Sequence, residues 1–248
     1  MQSDSSYTSA RAADPFLHNQ LLAALPQAQL ERWRPWLQAV DLQVGEVLCE
    51  SGHVPTYVTF PLTAVVSLSY LTQDGATAEV SVVGNDGLVG VAVFMGGQAS
   101  PVRAIAQSAG KALRLHAKVL RDTVAESPAV LTVLLRYTQA LIAQVAQTAA
   151  CNRHHNIDQQ LSRRLLMALD RTQSSEVQMT HEALAQLLGV RREGITSAAL
   201  RLQGAGAIRY HRGRIDVLDR QQLEQRSCEC YAVARKAYER LLPWPIAA

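Results

Sequence analysis

No stretch of roughly 18 uncharged apolar residues occurs in this 248-residue chain, so no membrane-spanning helix is expected. The opening MQSDSSYTSARAADPF lacks the apolar stretch of a signal peptide and reads as a frayed tail before a first helix. Cysteine is scarce. Cys49, Cys151, Cys228 and Cys230 form no dense disulfide pattern. Without an export signal, reduced thiols in a cytoplasmic protein are the default. There is no Gly-rich phosphate loop, no nucleophile elbow and no zinc-protease motif. The carboxylates Glu79 and Asp86 have no catalytic company in the sequence, so an enzyme is not expected. Internal repeats and low-complexity tracts are also missing.

What is present is ample apolar material, 48% of residues, and an uneven charge. Residues 1–150 carry 9 Lys+Arg against 11 Asp+Glu, whereas residues 151–248 carry 15 against 10. All but one of those 15 basic residues are arginine. A basic half joined to a slightly acidic half suggests that the C-terminal part meets a polyanion, although soluble proteins also show such imbalance by chance.

Residues 16–40 have apolar positions at three- and four-residue spacing and read as helical. From about 41 to 118 the pattern changes to short runs rich in Val, Leu and Thr, broken by Gly, Asp and Asn. Several short strands with tight turns suggest a β-barrel or sandwich. Asp74-Gly75 and Asp86-Gly87 are plausible turn centres because Gly tolerates positive φ. A long helix follows over Pro128–His155. In it Leu131, Leu134, Thr138, Leu141, Val145 and Thr148 recur at spacings of four and three, the rhythm of a helix meeting a partner helix. The flank of Leu135, Ile142 and Ala149 would then pack on the barrel. An ordinary core helix remains the alternative. Another amphipathic helix covers Ile157–Asp170, with Leu161, Leu165, Leu166 and Leu169 on its apolar side. The division expected is 16–127 for the β unit, 128–156 for the dimerisation helix and 157–242 for the C-terminal unit.

The most informative stretch is residues 179–220. Thr180 is a good N-cap, and Ala183, Leu184, Leu187 and Leu188 give the helix behind it an inner face. Gly189-Val190 makes a short turn. A second helix begins around Arg191, with Ile195, Ala198, Ala199 and Leu202 inward and Arg192, Glu193, Thr196 and Ser197 outward. Helix, short Gly turn, helix is the pattern whose second helix lies in the DNA major groove. Arg can donate two hydrogen bonds to guanine, and Glu can accept from cytosine. Thr180, His181, Arg191 and Arg201 are placed to hold phosphates. The runs AIRYH and RIDVL around Arg212-Gly213-Arg214 form a hairpin with a basic tip, a wing on which Arg212 meets the backbone. A helical hairpin with a solvated basic face is the alternative, and it leaves turn, inner face and wing as coincidences.

On these residues the chain resembles the Crp/Fnr family of bacterial transcription regulators over roughly residues 20–242. The resemblance implies an α+β fold: an N-terminal β-roll of the cyclic-nucleotide-binding, jelly-roll type, a long dimerisation helix and a C-terminal winged helix-turn-helix. It implies a homodimer on a palindromic operator, with double-stranded DNA, a second copy and RNA polymerase as partners, and no membrane. Arg192, Glu193 and Ser197 occupy the family's three base-reading places. The third is often Arg, so Ser197 suggests a different base preference. The sensing half departs from the family. Around Gly90, Val91 stands where cyclic-AMP binders have Glu, and Ser100-Pro101 stands where they have the Arg pair, with Arg103 out of register. A buried phosphate without a paired Arg loses its solvation uncompensated, so cyclic AMP is not the expected effector of this pocket. The effector's identity stays open, and no cofactor or metal is expected. Only Cys49 lies where the family's iron-sulfur branch needs a cysteine cluster. The alternative is a redox- or metal-responsive regulator using Cys151, His154, His155, Cys228 and Cys230. Cys228 and Cys230, two apart on a helix, would point to different sides and share an ion poorly.

Overall fold

The computed structural model describes residues 14–242 except 74, 76, 98 and 173. Most of the N-terminal tail and Asp74 of the expected Asp74-Gly75 turn therefore lie outside the described residues. Gly75 does take positive φ, at 86°.

The expected helix over 16–40 is divided. After a 3-10 turn come α1 (Gln20–Ala23), α2 (Gln27–Trp33) and a second 3-10 turn, and β1 already begins at Gln38. Pro26 caps α2 and Pro35 opens the 3-10 turn behind it; neither has an N–H for a continuous helix. Asn19 is fully buried, and its amide donates to the Pro61 and Gly87 carbonyls at 2.9 and 2.8 Å.

The β unit comprises β1 (Gln38–Leu42), β2 (Val47–Cys49), β3 (Tyr57–Pro61), β4 (Val65–Leu71), β5 (Thr77–Val83), β6 (Arg103–Ser108) and β7 (Gly110–His116). They form two antiparallel sheets, ordered β1-β7-β3 and β2-β6-β4-β5. Phe60, Val66, Leu113 and Leu115 close the space between them with Trp33. Gly87 does sit in a turn, but not for positive φ: a Cβ there would run into the Tyr137 ring.

Helix α3 (Ala117–Glu126) leads to α4 (Pro128–His154). Ser127 caps α4 with Pro128 in the first turn, where a missing N–H costs nothing. By length and composition alone α4 could cross a bilayer. Here one face is built into the core through Val130, Leu134, Tyr137 and Leu141. This overturns part of the sequence expectation for the helix. Leu134, Thr138 and Leu141, assigned to a partner-facing seam, are buried within the chain. Leu131 and Thr148 are half-buried. The flank expected to pack on the barrel is the open one, with Leu135 at 50% and Ile142 at 59% exposure and Ala149 beside them, and Val145 of the expected seam is exposed as well. Two adjacent apolar stripes share the same helical spacing, and the one that also carries Tyr137 took the core.

Beyond α4 come α5 (Ile157–Thr172), β8 (Glu176–Gln178), α6 (His181–Leu188), α7 (Arg192–Gly204), β9 (Ile208–His211), β10 (Arg214–Val217), α8 (Arg220–Arg226) and α9 (Glu229–Leu241). Asn156 opens α5 with a reciprocal cap: the Gln159 N–H donates to Asn156 Oδ1 and the Asn156 N–H to Gln159 Oε1. The sheet order β8-β10-β9 adds a third strand to the expected hairpin.

Two buried ion pairs join the units. Arg164 of α5 meets Glu79 of β5 at 2.6 Å, with Ser67 and Gln107 donating to the same carboxylate. Arg171 of α5 meets Asp86 at 2.6 Å and donates to Gln144 of α4. These are the partners of the two carboxylates that stand alone in the sequence.

Candidate nucleic-acid interface

Helix α6 starts where Thr180 accepts a hydrogen bond from the Ala183 N–H at 3.1 Å. It stops at Gly189, which adopts φ 64°, while the Val190 N–H reaches the Ala185 carbonyl at 3.0 Å. That closing pattern needs a left-handed residue, and nothing lies within 4 Å of a Cβ there, so the glycine serves conformation and not space. The tight turn sets α7 across α6.

Ile195, Ala198, Ala199 and Leu202 bury the inner face of α7. Gly194 allows α5 to approach, since a Cβ there would meet Ile157 at 2.7 Å. The outer face is free: Arg191, Arg192, Glu193 and Ser197 are exposed, and Thr196 is half-buried. Arg191 is the N-cap and the helix runs from Arg192, so Arg192 and Glu193 stand in its first turn.

The wing turn is Arg212-Gly213, with φ of 36° and 86°. Two successive positive φ values define the tight hairpin turn whose twist suits paired strands. Arg212 is the only non-glycine with positive φ among the described residues. An Asn or Gly would sit there with less strain.

The structure places some expected phosphate contacts differently. Arg201 is held by Asp158 through two hydrogen bonds of 2.7 and 2.5 Å. His181 is stacked on Tyr210 at 4.0 Å, and its Nδ1 meets Thr196 Oγ1 at 3.1 Å. Burial, and secondarily the Arg192 charge, hold its pKa below the usual histidine value. His181 thus joins α6, α7 and the wing as packing. The sequence reading missed Asp158, Tyr210 and β8. A three-residue strand carries too little alternation to see, and the Asp158–Arg201 pair spans 43 positions.

In the β unit Gly90 takes φ 109°, and Val91 opens a 3-10 turn. The Ser100 hydroxyl donates to the Val102 carbonyl at 2.7 Å. Arg103 is paired with Glu50 at 2.9 Å. Arg103, the arginine nearest the expected phosphate position in sequence, thus faces a carboxylate in a partly exposed ion pair.

A second cluster departs from expectation. Cys228 is the N-cap of α9 and Cys230 lies in its first turn, so they are not two points along a helix side. Both turn inward, onto Cys151 and His155, and the four ligand atoms lie within 4.8 Å of one another. His154 lies outside this group and is exposed. The Cys228 thiol is pushed down by its hydrogen bond with Cys151; the same bond and burial push Cys151 up, and burial pushes Cys230 up.

Comparison with known proteins agrees with this architecture. Residues 39–127 match the cyclic nucleotide-binding domain, and residues 159–226 match the Crp-like helix-turn-helix domain. With both domains in this order over well over half its length, the chain belongs to the Crp/Fnr family of transcription regulators. No curated relative matches the sequence. Among solved structures, a protein from Eubacterium rectale assigned to the Crp/Fnr family is similar with TM-score 0.65 and 18% identity, over 84% of this chain and 97% of that one. FixK2 from Bradyrhizobium japonicum gives TM-score 0.64 and 15% identity, over 77% and 98%. A Crp-family transcriptional regulator from Thermus thermophilus gives 0.64 and 19%, over 76% and 96%. At these identities the likeness is one of fold.

Proposed function

We propose that the chain is a homodimeric, sequence-specific regulator that binds a palindromic operator through α7. The observation that carries this is the outer face of α7. It presents Arg192, Glu193 and Ser197 to solvent while its inner face is locked on α5 and α6. Arg192 reads guanine and Glu193 reads cytosine in the major groove. Arg191, Arg212 and the first turn of α6 at Thr180 hold phosphates, which fix register. The second copy packs on the open stripe of α4, Leu135, Ile142, Val145 and Ala149, which keeps Val145 of the seam expected from the sequence. The protein works in the cytoplasm, where its operators are.

Cyclic AMP is not the effector. Arg103 is tied to Glu50, and Ser100-Pro101 supplies no second cation beside it. Calorimetry of the full chain with cyclic AMP should show no heat of binding; a micromolar dissociation constant would contradict this reading.

Genome-wide mapping of the bound sites in the native cell tests the function. Peaks sharing an inverted repeat are expected. Occupancy without a common sequence would make the protein a non-specific DNA binder instead.

A further inference from the structure

We propose that Cys151, His155, Cys228 and Cys230 form a mononuclear zinc site that clamps the start of α9 to the end of α4. Three thiols and an imidazole are a zinc ligand set, and zinc in structural sites is tetrahedral. Bonds of about 2.3 Å to sulfur and about 2.0 Å to nitrogen put ligand atoms roughly 3.5–3.8 Å apart at the corners of that tetrahedron. Here Cys151 Sγ lies 3.5 Å from Cys228 Sγ, and Cys230 Sγ lies 3.6 Å from His155 Nδ1.

The elements explain why four such groups meet. Cys151 lies in the last turn of α4, and His155 is the C-cap, whose N–H donates to the Cys151 carbonyl at 3.0 Å and holds the two residues one turn apart. Cys228 and Cys230 straddle the first residue of α9, where the chain turns from extended to helical and both side chains can face the same way. All three cysteines are buried, and they form a small cluster separate from the two main cores.

Three further observations favour an ion over packed thiols. His155 Nε2 lies 3.3 Å from the Glu229 carboxylate, the partner that orients a zinc-binding imidazole with its other nitrogen facing the metal. Gln160 donates to the His155 carbonyl at 2.8 Å and to the Cys151 carbonyl at 3.4 Å, fixing the backbone of both ligands. Zinc with three thiolates and a neutral imidazole has a net charge of minus one, which is costly to bury alone. The buried Arg163 exerts its positive charge on Cys151 and Cys230, and its Nε has no hydrogen-bond partner among the described residues. Loading releases the remaining thiol protons to solvent and involves no oxidant. The four ligand atoms lie within 4.8 Å of one another, too close together to enclose a cluster of two or four irons, whose ligands span more than one iron.

The test uses the full, untagged chain kept reduced. Elemental analysis should give one zinc per chain. The metal-free chain titrated anaerobically with cobalt(II) alone should develop the visible absorption of a tetrahedral thiolate site, saturating at one equivalent and bleaching on addition of zinc. Thiol titration of the zinc form should count only Cys49 as reactive, and all four cysteines after a strong chelator. Glu229→Gln keeps every ligand and lies on the surface, so it should fold; it should weaken zinc binding about 10- to 100-fold. A reduced, folded wild-type chain that takes up neither ion overturns the proposal, and so does a Cys151–Cys228 disulfide that persists in cells in place of the metal. Unchanged zinc affinity in His155→Ala would overturn the four-ligand site. None of these readouts depends on DNA binding.

Discussion

Arg192 and Arg212 carry the same charge within one small unit, yet their surroundings differ. Arg192 stands in the first turn of α7 on its exposed face. Arg212 sits at the wing tip with φ 36°, a conformation that is unfavourable for a side chain with a Cβ. Arg192→Ala should weaken the specific complex by about 1–3 kcal/mol and relax preference at one base pair in each half-site. Arg212→Asn should weaken all sequences about equally and lower the salt slope by about one. Because Asn tolerates positive φ, that variant should also melt slightly higher than the wild type. Titrations on matched and single-mismatch duplexes at several salt concentrations check both. An unchanged mismatch profile in Arg192→Ala would mean that the recognition register is wrong.

At the scale of elements, α4 has the consequence easiest to measure. Ile142→Asp puts a charge on the open stripe and should dissociate the dimer while the chain stays folded. Leu141→Ala, at the preceding position, removes a buried side chain and should cost about 2–5 kcal/mol of stability. Light scattering and denaturant melts on the pair distinguish the two faces; dissociation by neither substitution would refute α4 as the seam. The helix itself was legible in the sequence, as were the strand-rich β unit, the Thr180 cap and the Gly189 turn, because each rests on local spacing or on one residue with a narrow conformational role. Which of two apolar stripes faced inward was not legible, since both fit the same period and only the rest of the fold decides. The thiol cluster was hidden for a related reason. Whether Cys228 and Cys230 diverge depends on whether α9 has already begun, and a shift of one or two residues in a helix start reverses the answer.

At the scale of the whole molecule, the β unit and the winged-helix unit share buried charge. Arg164 with Glu79 and Arg171 with Asp86 tie α5 to β5 and the turn after it. Val65 and Val82 of the β unit lie in the same apolar cluster as Leu161 and Leu165. β5 and its turn are thus packed directly on the helix that precedes α6 and α7. Glu79→Ala leaves Arg164 buried without its carboxylate and should cost about 3–5 kcal/mol, read by denaturant melts; a loss below about 1 kcal/mol would mean that water already reaches the pair.

The central claim is that two copies of α7 read DNA from one face. Selection of bound duplexes from a random pool by the purified full-length protein tests it most directly. The account predicts enrichment of an inverted repeat whose half-sites are one helical turn apart, about 34 Å between centres. Enrichment of a single half-site without symmetry, or of no sequence at all, would contradict it.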